Sequence, residues 1–169
     1  MHATKKGGRR SGRRRAFEVL YGLCFAPPEG DDTARAVALA PEARQEQDQD
    51  TPPEACDPCD ADADGRDSGR EEFARALVAG VWARRDELDK TITGFSQHWK
   101  LARIARVELT ILRVALYEML YLDDIPLKVA INEAVELAKR YGDDNSKNFV
   151  NGILDAVARA VEHGELRVR

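Results

Sequence analysis

The apolar side chains of residues 107–122 recur with the spacing of an α-helix and not with the alternation of a β-strand. At about 100° per residue they cover nearly the whole circumference, which predicts a helix that is buried on most sides. Four polar residues interrupt this run, namely Glu108, Thr110, Arg113 and Glu118. Because a charge on a buried helix needs a partner or access to water, we expect this helix to be the centre of a helical domain, partly exposed at a contact surface, or both.

Four further stretches of the chain repeat apolar residues at helical spacing, and proline or glycine marks most of their ends. The predicted helices cover about 12–25, 71 to about 91 with a second piece through 97, 126–142, and about 145–164. No segment alternates in the manner of a strand. The sequence therefore predicts an all-α fold, a compact bundle of roughly six or seven helices joined by short turns.

The charges of the chain are distributed unevenly, although the formal net charge is only −4. Residues 1–15 carry seven basic side chains and no acidic one, whereas residues 27–69 carry thirteen acidic and three basic side chains. We interpret residues 1–12 as a flexible basic arm and residues 13–169 as a single helical domain, interrupted by an acidic low-complexity insert at 27–69. A basic arm on an acidic chain favours a polyanionic partner.

The motifs of catalysis and of cofactor binding are missing from the sequence. It has no glycine-rich phosphate loop, no HExxH and no histidine cluster, so we predict no catalytic residue, no metal site and no cofactor. Cys56 and Cys59 form a CxxC pair, for which a zinc half-site, a redox pair and two incidental thiols are the alternatives; zinc would need two more ligands. An odd number of cysteines, no signal peptide and no transmembrane run lead us to expect a cytoplasmic protein without a membrane partner.

Several longer motifs carry a resemblance to a known family. The most specific are ILRVALYEM at 111–119, PLKVAINEAVELAKRYG at 126–142 and KNFVNGILD at 147–155. They lie within residues 106–157, and this run closely resembles the NusB family of bacterial transcription antitermination factors. The segment RRRAFEVLYGL at 13–23 is similar to the arginine-rich first helix of that family.

The resemblance implies an all-helical fold of two small subdomains and an RNA-binding function. Members of this family bind the boxA element of ribosomal RNA leader transcripts together with NusE, a small-subunit ribosomal protein. With other Nus factors, the complex lets RNA polymerase read through terminators. The resemblance places the RNA contacts at Arg9, Arg10, Arg13, Arg14, Lys147 and Phe149. It places the NusE contacts at Tyr21 and Glu108, with Arg103 beside them.

Two of these residues have alternative interpretations. Phe149 is either a core residue or an exposed ring that stacks on an unpaired base. Glu108 either forms an internal ion pair or faces the partner protein. The acidic insert is longer than the short second helix of the family, and we hypothesise that it competes with RNA for the basic arm.

Two other functions remain open on the sequence alone. One is the NusB-like domain of an rRNA cytosine methyltransferase, which would need a further Rossmann-like domain to hold its methyl donor. The other is a helical scaffold whose basic arm binds polymerase or another protein.

Overall fold

The computed structural model describes the backbone of residues 6–25, 66–96 and 100–166, and side chains from Gly8 and from Gly69 onward in the first two ranges. Within them it forms six α-helices and one turn of 3₁₀-helix, with no strand, so the prediction of an all-α fold is confirmed. The α-helices are α1 (Lys6–Leu23), α2 (Arg66–Ala83), α3 (Arg85–Phe95), α4 (Arg106–Tyr121), α5 (Leu127–Tyr141) and α6 (Ser146–Glu162), and the 3₁₀ turn is Leu101–Arg103.

The predicted central helix is α4, which packs against each of the other five α-helices. Ile111, Leu112, Leu116 and Met119 are all at most 2% exposed, as their periodicity predicted. The polar residues that interrupt α4 have partners within the fold. Arg113, for example, donates from Nε and Nη2 to both carboxylate oxygens of a half-buried aspartate on α3, each at 2.7 Å.

The first helix begins earlier than predicted. Helix α1 starts at Lys6, so residues 6–12 of the expected flexible arm are helical, and residues 1–5 of that arm lie outside the described part of the chain. Tertiary packing explains the difference, because Gly12 lies against α2. A Cβ atom at Gly12 would be 2.9 Å from Cδ1 of Phe73.

The break between the second and third α-helices also differs from the prediction. It falls at Arg84 and not near Thr91, and no proline or glycine marks it. Arg84 leaves the helical conformation with φ −111° and ψ 14°, and its guanidinium group lies 4.4 Å from the ring centroid of Tyr121 on α4. The break at Arg84 therefore coincides with a contact between this residue and α4, and the neighbouring sequence contains no signal for it.

The predicted insert at 27–69 is described only at its C-terminal end. Residues 66–69 belong to α2, and the rest of the insert, including Cys56 and Cys59, lies outside the described residues.

Helix α1 crosses the core antiparallel to α4. Arg13 pairs with Glu118 near the C-terminal end of α4, whereas Sγ of Cys24 lies 3.6 Å from Oγ1 of Thr110 near its N-terminal end. This arrangement leaves the opposite side of α1 facing solvent beside α5, and Arg10 and Arg14, two of the predicted RNA contacts, lie on that side.

Candidate nucleic-acid interface

The exposed side of α1 presents two arginines with weak internal partners. Arg10 and Arg14 have side chains that are 61% and 48% exposed, and they are spaced by one helical turn. Arg10 lies 3.6 Å from Glu136, but that carboxylate already accepts a 2.6 Å hydrogen bond from Lys139. Arg14 lies 4.0 Å from Glu18. Exposed ion pairs of this kind contribute at most about 1 kcal/mol, so both guanidinium groups can exchange these partners for another anion.

Lys139 also perturbs the pKa of Glu136. Its hydrogen bond is the main cause that lowers the pKa of Glu136 below its ordinary value, and Arg10 contributes less. Arg10 is therefore a secondary partner of that carboxylate.

Arg13 is placed differently, and the expectation that it contacts RNA is corrected. Its side chain is 4% exposed, and its Nε atom donates to Oε1 of Glu118 at 2.6 Å. Its Nη1 atom lies 3.6 Å from Glu133 on α5. Three, four and seven residues later come the buried side chains of the same helix, so the sequence did contain a signal that Arg13 points inward. Arg13 thus joins α1, α4 and α5 within the core.

The partner of Arg13 has a strongly perturbed acidity. Burial raises the pKa of Glu118 to about 7, and the charge of Arg13 opposes this rise. Glu118 is 1% exposed, and the carboxylate of Glu133 raises its pKa further.

The exposure of Arg9 is intermediate between that of the exposed Arg10 and Arg14 and that of the buried Arg13. Its side chain is 29% exposed, and its Nη2 atom donates to Oδ2 of the solvent-exposed Asp124 at 2.5 Å. Its guanidinium group also lies 5.8 Å from the ring centroid of Phe73 on α2. Arg9 therefore borders the exposed arginines but is held against the turn between α4 and α5.

Tyr141 connects the exposed face of α1 to the end of α5. Its hydroxyl group donates to Oε1 of Glu18 at 2.6 Å, and its ring lies 4.7 Å from that of Phe17. Burial, followed by the hydrogen bond and charge of Glu18, raises the pKa of Tyr141 to about 12. Arg140 lies 5.6 Å from the centroid of the same ring. The helical spacing of Tyr141 indicates an apolar position, so the sequence contains no signal of its hydrogen bond to Glu18 on α1.

The remaining predicted RNA contacts lie in the first turn of α6, just after the end of α5. Lys147 is exposed, and Phe149 is half-buried and packs against the hydrophobic core. Phe149 is consequently a partial core residue that keeps part of its ring at the surface. Lys147 and Phe149 follow Tyr141 along the chain in the first turn of α6, and Arg14 lies 4.0 Å from Glu18, the hydrogen-bond partner of Tyr141.

A second surface surrounds the C-terminal end of α1. Tyr21 is half-buried and stacks on Phe17 at 5.8 Å between ring centroids, with Phe25 edge-on at 5.1 Å. Phe25 is 59% exposed, the largest exposure of a large apolar side chain among the described residues. The guanidinium group of Arg106 lies 4.6 Å from the centroid of its ring. The sequence analysis named Tyr21 but not Phe25 or Arg106, because exposure of a helix-end aromatic cannot be read from its spacing.

Glu108 and Arg103 lie at the start of α4 and in the 3₁₀ turn that precedes it. Glu108 is half-exposed and accepts a hydrogen bond from the hydroxyl group of Ser146 at 2.9 Å. Among the described residues, no cation lies within salt-bridge distance of Glu108. Glu108 therefore forms no internal ion pair in this part of the chain. Arg103 is exposed.

The described ranges also lack a metal-binding cluster and a membrane-spanning helix. Residues 6–25, 66–96 and 100–166 contain no group of three or more His, Cys, Asp or Glu side chains that could hold a metal ion. Over the same ranges, no helix combines the length and apolar character needed to cross a membrane.

Comparisons with known proteins give a consistent result at this point. The family model described as NusB family matches residues 10–159. The transcription antitermination protein NusB of Nitratidesulfovibrio vulgaris (strain Miyazaki F) is 48% identical over 96% of this chain and 94% of its own length. That of Desulfovibrio desulfuricans is 45% identical over 99% and 94%. That of Myxococcus xanthus is 41% identical over 92% and 97%.

Solved structures agree with these relatives. NusB from T. maritima superimposes with a TM-score of 0.69 and 32% identity, over 94% of this chain and 97% of that one. A structure of the antitermination factors NusB and NusE in complex with dsRNA gives a TM-score of 0.65 over 92% and 99% of the two chains. At 23% identity, the second likeness concerns the fold.

Proposed function

The chain belongs to the NusB family, and on that premise we propose that it is an RNA-binding transcription antitermination factor. It binds the boxA element of ribosomal RNA leader transcripts together with NusE, and it promotes read-through by RNA polymerase, which it reaches through the other Nus factors. We place this activity in the cytoplasm. The sequence identity of 41–48% to antitermination proteins over almost their whole length supports the assignment.

The observation that carries the RNA-binding part of the proposal is the exposed arginine face of α1. Arg10 and Arg14 retain only long or shared ion pairs, and phosphate groups can replace these partners because a strand presents a row of them and releases its condensed counterions on binding. Arg9 contributes from the edge of this face. Lys147 adds a further exposed cation at the start of α6, and in this proposal one strand runs from α1 to α6.

An aromatic residue of the proposed RNA surface is suited to binding single-stranded RNA. The exposed part of Phe149 offers a stacking surface for one base, which is the usual way in which single-stranded RNA is read. Arg13 takes no direct part in this proposal. By pairing with Glu118 it fixes the rotation of α1, and that rotation keeps Arg10 and Arg14 directed to solvent.

The second surface is proposed to bind NusE. Tyr21, Glu108 and Arg103 came from the family resemblance, and we add Phe25 and Arg106 because the ring of Phe25 contacts Tyr21 and Arg106. An exposed aromatic ring covered by an arginine is typical of the residues that dominate protein interfaces. A partner that buries Phe25 would shield from water the most exposed large apolar side chain in the described part of the chain.

Fluorescence anisotropy with labelled boxA RNA and a scrambled RNA, in the presence and absence of NusE, tests the proposal. Each phosphate contact to a single strand changes the slope of log K against log salt by about 0.7. We therefore expect Arg10→Gln and Arg14→Gln each to reduce the slope by about 0.7 and to weaken binding. Arg159→Gln is the matched control, because this exposed arginine lies about 18 Å along α6 from Lys147.

The same measurements separate the alternatives. Equal affinity for boxA and scrambled RNA with and without NusE, or an effect of Arg159→Gln equal to that of Arg14→Gln, would argue against the proposed RNA site. A scaffold that binds only protein would bind NusE or polymerase but not RNA. For the partner surface, titration calorimetry with NusE should show a loss of about 1–2 kcal/mol for Phe25→Ala, and an unchanged affinity would contradict this assignment.

A further inference from the structure

The hydroxyl group of Ser146 lies between the two proposed surfaces. Ser146 is 2% exposed and is the first residue of α6. Its Oγ atom lies 2.9 Å from Oε1 of Glu108 on the partner side and 2.9 Å from Oδ1 of Asp143 in the turn before α6. It also accepts the backbone N–H of Asp143 at 3.0 Å. One buried hydroxyl group therefore touches α4, the α5–α6 turn and the start of the helix that carries Lys147.

The hydrogen-bonding capacity of this group is smaller than the number of acceptors around it. A serine hydroxyl has a single hydrogen, so it can donate fully to Glu108 or to Asp143 but not to both. Asp143 is held as an acceptor because its Oδ1 atom also receives the backbone N–H groups of Asn145 and Ser146, each at 2.9 Å. These bonds define the turn that sets the direction of α6.

Close packing restricts the side chain of Ser146, so the hydroxyl hydrogen is the atom of this residue that can still change its position. A Cβ atom on Gly142 would lie 2.5 Å from Cβ and 2.6 Å from Oγ of Ser146, so the serine is seated directly against the glycine backbone. The heavy atoms are thereby fixed, whereas rotation about the Cβ–Oγ bond is inexpensive. The site has two discrete hydrogen-bond arrangements that share one set of atomic positions.

We propose that Ser146 is a positioning residue that couples the NusE surface to the RNA surface, an inference that rests on the proposed function. When a donor of NusE binds Glu108, the hydroxyl hydrogen of Ser146 moves to Asp143. The turn before α6 then gains a bond, which fixes the first turn of α6 and with it Lys147 and Phe149. Because its binding site is then more ordered, RNA binds more tightly when NusE is present. By thermodynamic reciprocity, RNA raises the affinity for NusE by the factor by which NusE raises the affinity for RNA.

The test measures coupling and not affinity alone. The dissociation constant for boxA RNA is determined with and without saturating NusE, and the ratio of the two values is the coupling factor. We expect this factor to exceed about fivefold in the unaltered chain and to fall at least about threefold in Ser146→Ala. Glu108→Gln should also lower it, and the double variant should lower it no further than either single change, because both act through one hydrogen bond.

Ser96→Ala provides the matched control, because Ser96 is a second buried serine whose hydroxyl donates to a backbone carbonyl at the end of α3. This variant should keep the coupling factor of the unaltered chain. Thermal unfolding of each variant confirms that it is folded, and Glu108→Gln serves as the independent probe if Ser146→Ala is not.

The outcomes distinguish this inference from the proposed function. An unaltered chain that binds RNA and NusE with a coupling factor of one would overturn the inference alone, as would a Ser146→Ala variant that loses RNA affinity equally with and without NusE. Additive effects of the two substitutions would overturn it as well. An unaltered chain that binds neither boxA RNA nor NusE would overturn both.

Discussion

Replacing Arg13 by glutamine should destabilise the protein far more than the same change at Arg14. Arg13 and Glu118 are 4% and 1% exposed and are joined at 2.6 Å, so the substitution leaves a buried carboxylate without its cation. Breaking a buried pair in this way typically costs about 3–5 kcal/mol. Arg14 is 48% exposed and 4.0 Å from its partner, so its substitution should cost less than about 0.5 kcal/mol.

The acidity of Glu118 gives this cost a pH dependence. With Arg13 present, burial already raises the pKa of Glu118 to about 7. Because Arg13 lowers that pKa, its removal raises it further, and Glu118 becomes neutral over a wider pH range. Arg13 stabilises only the ionised carboxylate, so the loss caused by Arg13→Gln should approach about 3 kcal/mol near pH 8 and should be clearly smaller near pH 5.

Urea denaturation followed by circular dichroism, at both pH values, measures these free energies. The design needs three proteins: the unaltered chain, Arg13→Gln and Arg14→Gln. The reasoning would be refuted by an Arg13→Gln variant whose urea midpoint equals that of the unaltered chain at both pH values. It would be refuted equally by a variant that loses RNA affinity and salt dependence while its stability is unchanged, since Arg13 would then be a direct RNA contact.

Three more predictions concern stability and use the same assay. Because the folded-state pKa of Glu118 is raised from 4.5 to about 7, this residue contributes stability that is complete below about pH 4.5 and is lost as the pH rises through about 7; Glu118→Gln should remove this component, and an unchanged difference between pH 5 and pH 8 would contradict it. Gly80→Ala should destabilise by about 1–3 kcal/mol, because its Cβ atom would lie 2.1 Å from Cζ of Tyr117; a neutral effect would show that the tyrosine ring moves aside. Gly152→Ala on α6 should stabilise by about 0.5–1 kcal/mol, because no atom lies within 4 Å of the new Cβ atom; destabilisation would contradict the open space.

The sequence by itself determined the all-helical class, the ends of the last two helices and the centre of the bundle. The apolar run of α4 predicted both its helical state and its burial, whereas Pro126 marks the start of α5, and Gly142 and Gly164 follow the ends of α5 and α6. Gly164 has a φ of 73°, which suits a glycine just after a helix. These features depend on residues within one or two helical turns of each other, so spacing and turn chemistry are sufficient to predict them.

The tertiary structure decided which of the predicted contacts can face a partner. The spacing of Arg13 indicates that it shares the apolar face of α1, but only the packing of α1 on α4 supplies the buried Glu118 as its partner and leaves Arg14 half-exposed. The bond between Tyr141 and Glu18 joins residues 123 positions apart, and none of their neighbours in the sequence signals it. Periodicity fixes which residues share a face of one helix. The partner that each face meets depends on how the helices cross, and that is settled only when their side chains pack together.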